Sequence, residues 1–337
     1  MSHSFSLDWA YAYGKPQVTG LFRQSPEDFR VVEHLGFELA GQGEHVYLHI
    51  EKRGENTDWV ARQIARFAGV QNNDVSYAGM KDRHAVTRQW FSVYFPKGTE
   101  PQWSELETDS VRLLEATRHT QKLRRGAHQS NHFCIRLHQL EGQLTELPQR
   151  LERVIAGGIP NYFGLQRFGH NGNNLLEANR LLVEGTRIAN RQKRGLMMSA
   201  ARSYLFNQVL SERIKAGTWN TLLEGEIGSV EGFATGPLWG RGRPLVSGEC
   251  AALEAQVLNE LSSWCDGLEH VGLSQERRSL MLKPQQFTGQ LIEAPQAAGP
   301  TLEVSFSLPP GTYATAILRE ISLLNELKEM SIEEDMV

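Results

Sequence analysis

Val75-Ser76-Tyr77-Ala78-Gly79-Met80-Lys81-Asp82-Arg83-His84-Ala85-Val86-Thr87-Arg88-Gln89-Trp90-Phe91-Ser92-Val93-Tyr94-Phe95 reads as strand, loop, strand. Val75 to Ala78 and Arg88 to Phe95 carry the β-branched and aromatic residues that suit a pleated surface. The glycine and the charged run between them mark a loop. Asp82 lies in that loop among Lys81, Arg83, His84 and Arg88. Rigid strands often display catalytic side chains on such loops. Nearby cations favour the charged carboxylate, and a partly desolvated carboxylate can act as a covalent nucleophile. The other reading of the same residues is an ordinary surface loop in which Asp82 pairs with its neighbours.

Working outward, Pro26 to Glu33 reads as a turn entering a strand. Val46, Leu48 and Ile50 alternate with Tyr47 and His49 as another. Thr57 is placed to cap a helix that turns Trp59, Val60, Ile64, Phe67 and Ala68 inward and ends at Gly69. Strand character returns from Val111 to Ala116 and, with Phe133, Ile135 and Leu137 alternating, after a polar basic loop from Arg118 to Ser130. A helix is expected over 147–156. This mixture predicts an α+β domain on a largely antiparallel mixed sheet. From Gly157 helices dominate, over 174–184, 198–216 and 250–261. A strand over 302–308 and a final helix from Ala314, with Ile317, Ile321 and Leu324 inward, close the pattern. The simplest account is an insertion: one domain over 1–156 and 283–337, interrupted by a helix-rich α+β domain over 157–282. Leu291 to Pro300 reads as a loose connector.

The chain has 337 residues, 40% of them apolar, enough for a sizeable core or two. No apolar run is long enough to span a bilayer, and Met1 to Ser6 has no basic region followed by an apolar core. Cys134, Cys250 and Cys265 are three, without paired spacing. A reduced, cytoplasmic protein fits. His45 and His49 share a strand face, but no third ligand has sensible spacing, so no metal is expected. The Gly236-to-Pro244 loop lacks the glycine order of a phosphate-binding fingerprint. Net charge is −4, which excludes a uniformly basic coat. Lysines and arginines nevertheless crowd two stretches, Arg118 with Lys122, Arg124 and Arg125, and Arg187 with Arg191, Lys193, Arg194 and Arg202. Local fields of that kind can meet phosphates. Acids collect in the tail at Glu329, Glu333, Glu334 and Asp335.

The stretch Gly79-Met80-Lys81-Asp82-Arg83-His84-Ala85-Val86-Thr87 resembles the active-site motif of the TruD family of tRNA pseudouridine synthases. Four more blocks resemble that family in the same order. They are Pro26 to Glu33, Asn131-His132-Phe133, Pro160 to Gly169, and Leu308 to Thr315 with Leu318-Arg319-Glu320. The resemblance implies a catalytic domain split by an inserted TRUD domain, the two forming a V with a cleft. It implies isomerisation of uridine 13 in the D arm of tRNA, tRNA-Glu especially. Such a reaction involves no redox step and loses no atoms, so no cofactor is expected; tRNA is the expected partner, and a monomer the expected state.

On this resemblance Asp82 is the nucleophile, attacking either C1′ of the ribose or C6 of the uracil. Lys81 and Arg83 adjoin it, but neighbours on an extended segment point to opposite faces. Arg23 and Arg319 are the expected cationic partners. The family usually has lysine where this chain has Arg23, which keeps the charge and changes its geometry. Phe29, Phe133 and Tyr313 are candidate walls for a flipped uracil, each offering roughly 1–3 kcal/mol of stacking. Asn131 offers a donor and an acceptor to the imide edge. Phe29, Asn131 and Tyr313 coincide with family substrate-contact positions; some members carry phenylalanine at the last. Lys122, Arg124 and Arg125 are expected on the RNA backbone. Two other readings of the scaffold are a non-catalytic RNA-binding or chaperone protein, and a nucleoside hydrolase that would release free uracil.

Overall fold

A computed structural model of the chain describes residues 5–292 and 299–326. Most of the expected connector, residues 293–298, and the whole acidic tail lie outside the described residues. In chain order the first elements are strands β1 Val18–Phe22, β2 Phe29–His34 and β3 His45–Arg53, helix α1 Thr57–Ala68, and strands β4 Val75–Tyr77, β5 Val86–Tyr94, β6 Val111–His119 and β7 Ser130–Gly142. Then come α2 Leu147–Gly157, β8 Ile159–Pro160, α3 Asn173–Leu182, α4 Arg191–Lys215, β9 Thr235–Leu238, α5 Gly248–Leu258, α6 Ser262–His270, β10 Glu276–Ser279 and β11 Met281–Leu282. The last are β12 Gln285–Ile292, β13 Thr301–Leu308, α7 Ala314–Ile321 and β14 Leu323–Glu326.

The fold is α+β on a mostly antiparallel sheet, as the sequence pattern predicts. Ten strands form one sheet in the order β12-β13-β7-β2-β5-β3-β6, with β1 between β7 and β14 and with β4 on β5. Among the described strands of this sheet, β2 with β5 and β1 with β14 run parallel. Alternation explains the layering. In β2, Phe29, Val31 and Glu33 are buried while Arg30 and His34 are exposed. In β3, Val46, Leu48 and Ile50 face Val60, Ile64 and Ala65 of α1 in one core cluster with Phe91 and Val93. Tyr47, on the other face, packs with Trp90, Ala78 and Leu123 in a second. Both faces of β5 are therefore covered.

The described residues divide into two compact units, one of 17–147, 284–292, 299–311 and 322–326, the other of 5–16, 148–283 and 312–321. This division differs from the expected 1–156, 157–282 and 283–337 at its ends. Residues 5–16 and helix α7 belong with the helix-rich unit, and the reason is tertiary. Trp9 packs on Tyr162, Phe168 and Tyr204, inside a core built around α4. Ala12 N–H donates to the Glu320 carboxylate at 3.1 Å.

Three local expectations are corrected. Helix α1 takes Asn56, not Thr57, as its N-cap. The Thr57 hydroxyl instead donates to Gln89 Oε1 at 3.0 Å and accepts from Lys81 N–H at 3.0 Å. The last helix stops at Ile321, and Leu324 lies in β14, paired with Gly20 of β1. Strands also precede 302–308 in the second half: β9 with β10, β8 with β11, and β12.

Candidate active site

Asp82 sits in the loop between β4 and β5, and that loop is held from several sides. Gln89 Nε2 donates to Gly79 O at 2.8 Å. Thr57 takes the Lys81 N–H, as above. Lys52 reaches in from β3 and donates its ammonium to the carbonyls of Glu55 at 2.7 Å and Asp82 at 2.9 Å. The carboxylate itself is gripped at both oxygens. Oδ1 accepts from His84 N–H at 3.0 Å, and Oδ2 pairs with the Arg23 guanidinium. Its side chain stays 28% exposed, so a substrate can reach it.

Arg23 follows β1 with φ at 61°, a left-handed backbone that a bulky residue rarely adopts. That turn aims its guanidinium over Phe22 and Phe29, 4.7 and 4.9 Å from the ring centroids. The cation is thus held by two aromatic rings and one carboxylate. Phe29 is buried, edge-on to Phe22 and to Phe133. Phe133 is buried as well, between Phe29 and Phe306.

Lys81 turns the other way from Asp82. Its ammonium pairs with Glu33 and donates to Asn131 Oδ1 at 2.7 Å. Both members of the pair are buried, Glu33 completely, and Glu33 also accepts from Trp90 N–H at 3.1 Å. With Oδ1 facing Lys81, Asn131 presents Nδ2 to His128 Nε2 at 3.0 Å. Burial pushes the His128 imidazole below its ordinary value, and the Lys81 charge adds to this. A neutral ring accepting at Nε2 agrees with both. The carboxamide of Asn131 is therefore oriented, with an amide hydrogen and a lone pair beyond these bonds.

The basic loop between β6 and β7 is anchored beside this site. Tyr47 Oη donates to Gln121 O at 3.0 Å, and Leu123 N–H to Ser92 Oγ at 3.3 Å. Gly126 N–H donates to Ala78 O at 2.7 Å, at the root of the Asp82 loop. Lys122, Arg124 and Arg125 are exposed along it, with Lys122 Nζ resting on Asn73 O at 2.9 Å.

Tyr313 and Arg319 belong to the other unit. Tyr313 packs edge-on to Phe163, and its hydroxyl accepts from Arg167 Nε at 3.1 Å. Arg319 donates to the Trp9 and Ala10 carbonyls at 2.7 and 3.1 Å and lies over the Tyr11 ring at 3.9 Å. Of the two expected partners, Arg23 is the one bonded to Asp82, while Arg319 is bonded to main chain and to Glu320. His45 and His49 bind no third ligand residue: among the described residues no group of three is placed to hold a metal. His49 stacks flat on Trp90 at 4.5 Å.

The profile of tRNA pseudouridine synthase D (TruD) matches residues 9–189 and 226–321. The chain belongs to the TruD family. A tRNA pseudouridine synthase D from Cellvibrio japonicus is 52% identical over 328 residues, covering 95% of this chain and 94% of that protein. One from Methylococcus capsulatus is 47% identical, covering 93% and 94%. A solved structure from Methanosarcina mazei, assigned as a TruD-type synthase, superposes with a TM-score of 0.69 at 22% identity, covering 94% of this chain and 96% of that one. That likeness is one of fold. The TruD resemblance carried by the five ordered motif blocks is thereby shown.

Several residues around Asp82 escape sequence reading. Lys52 is fully buried, and burial pushes its ammonium down to about 8, with the Asp82 carboxylate pulling the other way. Its signal was available: it continues the inward face of Val46, Leu48 and Ile50, where a lysine has no reason to be unless something inside receives it. Glu33 and Gln89 are likewise buried polar residues in strands. His128 sits in the basic loop, where a histidine attracts no notice. Among the described residues no helix is long and apolar enough to cross a membrane.

Proposed function

We propose that this TruD-family chain isomerises a uridine of tRNA to pseudouridine with Asp82 as the nucleophile. The target that the resemblance implies is uridine 13 in the D arm, with tRNA-Glu foremost. One observation carries the reading. The Asp82 carboxylate is accessible yet held at both oxygens, by Arg23 and by the His84 N–H, in a loop whose backbone a buried lysine fixes. A nucleophile must be aimed as well as charged, since orientation supplies much of the rate.

The reaction balances with no added reactant. The N1–C1′ bond breaks, a C5–C1′ bond forms, the C5 proton leaves and N1 gains one. Attack by Asp82 at C1′ or at C6 leads to the same product, and the carboxylate can also take the C5 proton. Extruding the base costs a few kcal/mol. Phosphate contacts from Lys122, Arg124 and Arg125 offset this. Phe29 supplies a stacking face, with Phe133 behind it. Asn131 meets the imide edge with the hydrogen and lone pair left to it. We assign the work to a cytoplasmic monomer.

Asp82→Asn tests the assignment. The change keeps the shape and removes the charge. Single-turnover isomerisation should vanish while tRNA affinity stays near parental. Residual turnover above about one percent would overturn Asp82 as nucleophile, because covalent catalysis contributes far more than that factor.

A further inference from the structure

Asn131 stands in β7 between two strands, opposite Glu33 of β2 and Leu308 of β13. With its backbone fixed on both sides, its carboxamide has one matter left to settle, which end is the oxygen. Its neighbours settle it. The Lys81 ammonium donates to Oδ1 at 2.7 Å, and an ammonium has no lone pair to offer in exchange. Nζ is itself pinned by the buried Glu33 carboxylate, which Trp90 N–H holds at 3.1 Å. On the other side, Nδ2 meets His128 Nε2 at 3.0 Å. His128 is buried, and its Nδ1 has no hydrogen-bond partner among the described residues. A leucine would fill that space without a buried polar atom. A turned-over amide would set Nδ2–H against the ammonium, donor against donor.

The direction of an amide decides which pyrimidine it can read. Uracil offers a hydrogen at N3 beside an acceptor oxygen at C4. Cytosine offers a lone pair at N3 beside the hydrogens of its amino group. An amide free to turn over serves both bases. One with its oxygen fixed serves only one. Against cytosine in the same place, Oδ1 would meet the N3 lone pair and Nδ2–H the amino hydrogens. Polar groups left unpaired in a desolvated pocket are costly, and sites built on hydrogen bonds discriminate strongly for that reason. The base cannot turn over to compensate while its ribose is presented to Asp82.

Resting on the tRNA reading above, with Asn131 meeting the target base, we propose that Lys81 and His128 lock the Asn131 carboxamide in the direction that admits uracil and rejects cytosine. Glu33 holds Lys81 in that task. Lys81, Glu33 and His128 are positioning residues, since they act on the base through Asn131. They add base choice to the site, beside the Asp82 chemistry.

The test uses two tRNA-Glu transcripts, with uridine or cytidine at position 13. Each carries 2-aminopurine beside that position, which brightens when its neighbour leaves the stack. Brightening on binding is compared for the full chain and for Lys81→Met with Glu33→Gln, which removes the fixed donor together with the charge it would strand. Lys81→Gln with Glu33→Gln replaces that variant if it does not fold. The parent should extrude uridine at least about tenfold more favourably than cytidine. In the double variant this preference should shrink to about threefold or less. Its overall affinity for the uridine transcript should stay near parental, because most contacts lie elsewhere on the RNA. A parental preference in a folded double variant overturns the lock, even if both bases are extruded less, and leaves Asn131 as a reader. Equal extrusion of the two bases by the parent overturns the reading of the base by Asn131. No brightening with either transcript overturns the tRNA reading itself.

Discussion

Lys81 and Asp82 are chain neighbours that serve opposite sides of one loop. Asp82 faces Arg23, and Lys81 faces Glu33 and Asn131. Glu33 is wholly buried, so removing its cation leaves a charge inside the protein. Lys81→Met should cost about 3–5 kcal/mol of stability in urea unfolding, and Glu33→Gln added to it should recover part of that loss. A loss below about 1 kcal/mol would mean that Glu33 finds another partner. A second carboxyl makes a pH prediction. Burial pushes Glu320 up to about 7 from an ordinary 4.5, against the pull of Arg319 and Arg150. A raised value means the folded state holds the proton more tightly, so the stabilisation is complete below pH 4.5 and is lost as pH rises through 7. Glu320→Gln cannot titrate, so its unfolding free energy should fall less than the parent's between about pH 5 and about pH 8, by a difference on the order of 1–3 kcal/mol. Coincident profiles would show that this carboxyl does not titrate in that window. Asp82 and Asn131 were legible as residues because their motifs carry them. Lys52 went unread although its place on the inward face of β3 signalled it; its partners are backbone carbonyls of Glu55 and Asp82, so no side-chain pattern names what receives it.

At the scale of elements, the basic loop before β7 is the clearest case of charge carried on an anchored frame. Leu123 is buried, and Gln121, Leu123 and Gly126 tie the loop to Tyr47, Ser92 and Ala78. Replacing Lys122, Arg124 and Arg125 together with alanine therefore removes charge without freeing the loop. Affinity for tRNA should fall, and the slope of log affinity against log salt should drop by up to about 2–3 units. An unchanged slope would show that this loop faces away from RNA. Elements with clear alternation or helical spacing were readable: β2, β3, β5, β7 and α1 stand where their patterns put them, although β3 and β7 run on to Arg53 and Gly142, beyond the residues whose alternation marked them. Three were not. Strand β12 is exposed along nearly its whole length, so no buried face marks it. Strands β9 and β10 are four residues each, too short for a period. Leu323-Leu324 suits a helix or a strand equally, and only the free edge of β1 decides for β14.

At the scale of the molecule, each of the two units is assembled from discontinuous pieces of chain. The sheet unit recruits β12, β13 and β14 from beyond residue 283, and the helical unit recruits residues 5–16 and α7. A change of texture near Gly157 was legible, but the break between the units falls earlier, between Leu147 and Pro148, so α2 goes with the helix-rich unit. The allegiance of the N-terminal segment was not, because Trp9 declares it only through contacts with Tyr162, Phe168 and Tyr204, more than a hundred residues away. Purified chain is incubated with unmodified tRNA-Glu transcript, pseudouridine is mapped along the RNA, and free uracil is assayed in the same reaction. Pseudouridine should appear at uridine 13 with no free uracil; an unmodified transcript, or uracil released from it, would overturn the proposed isomerisation.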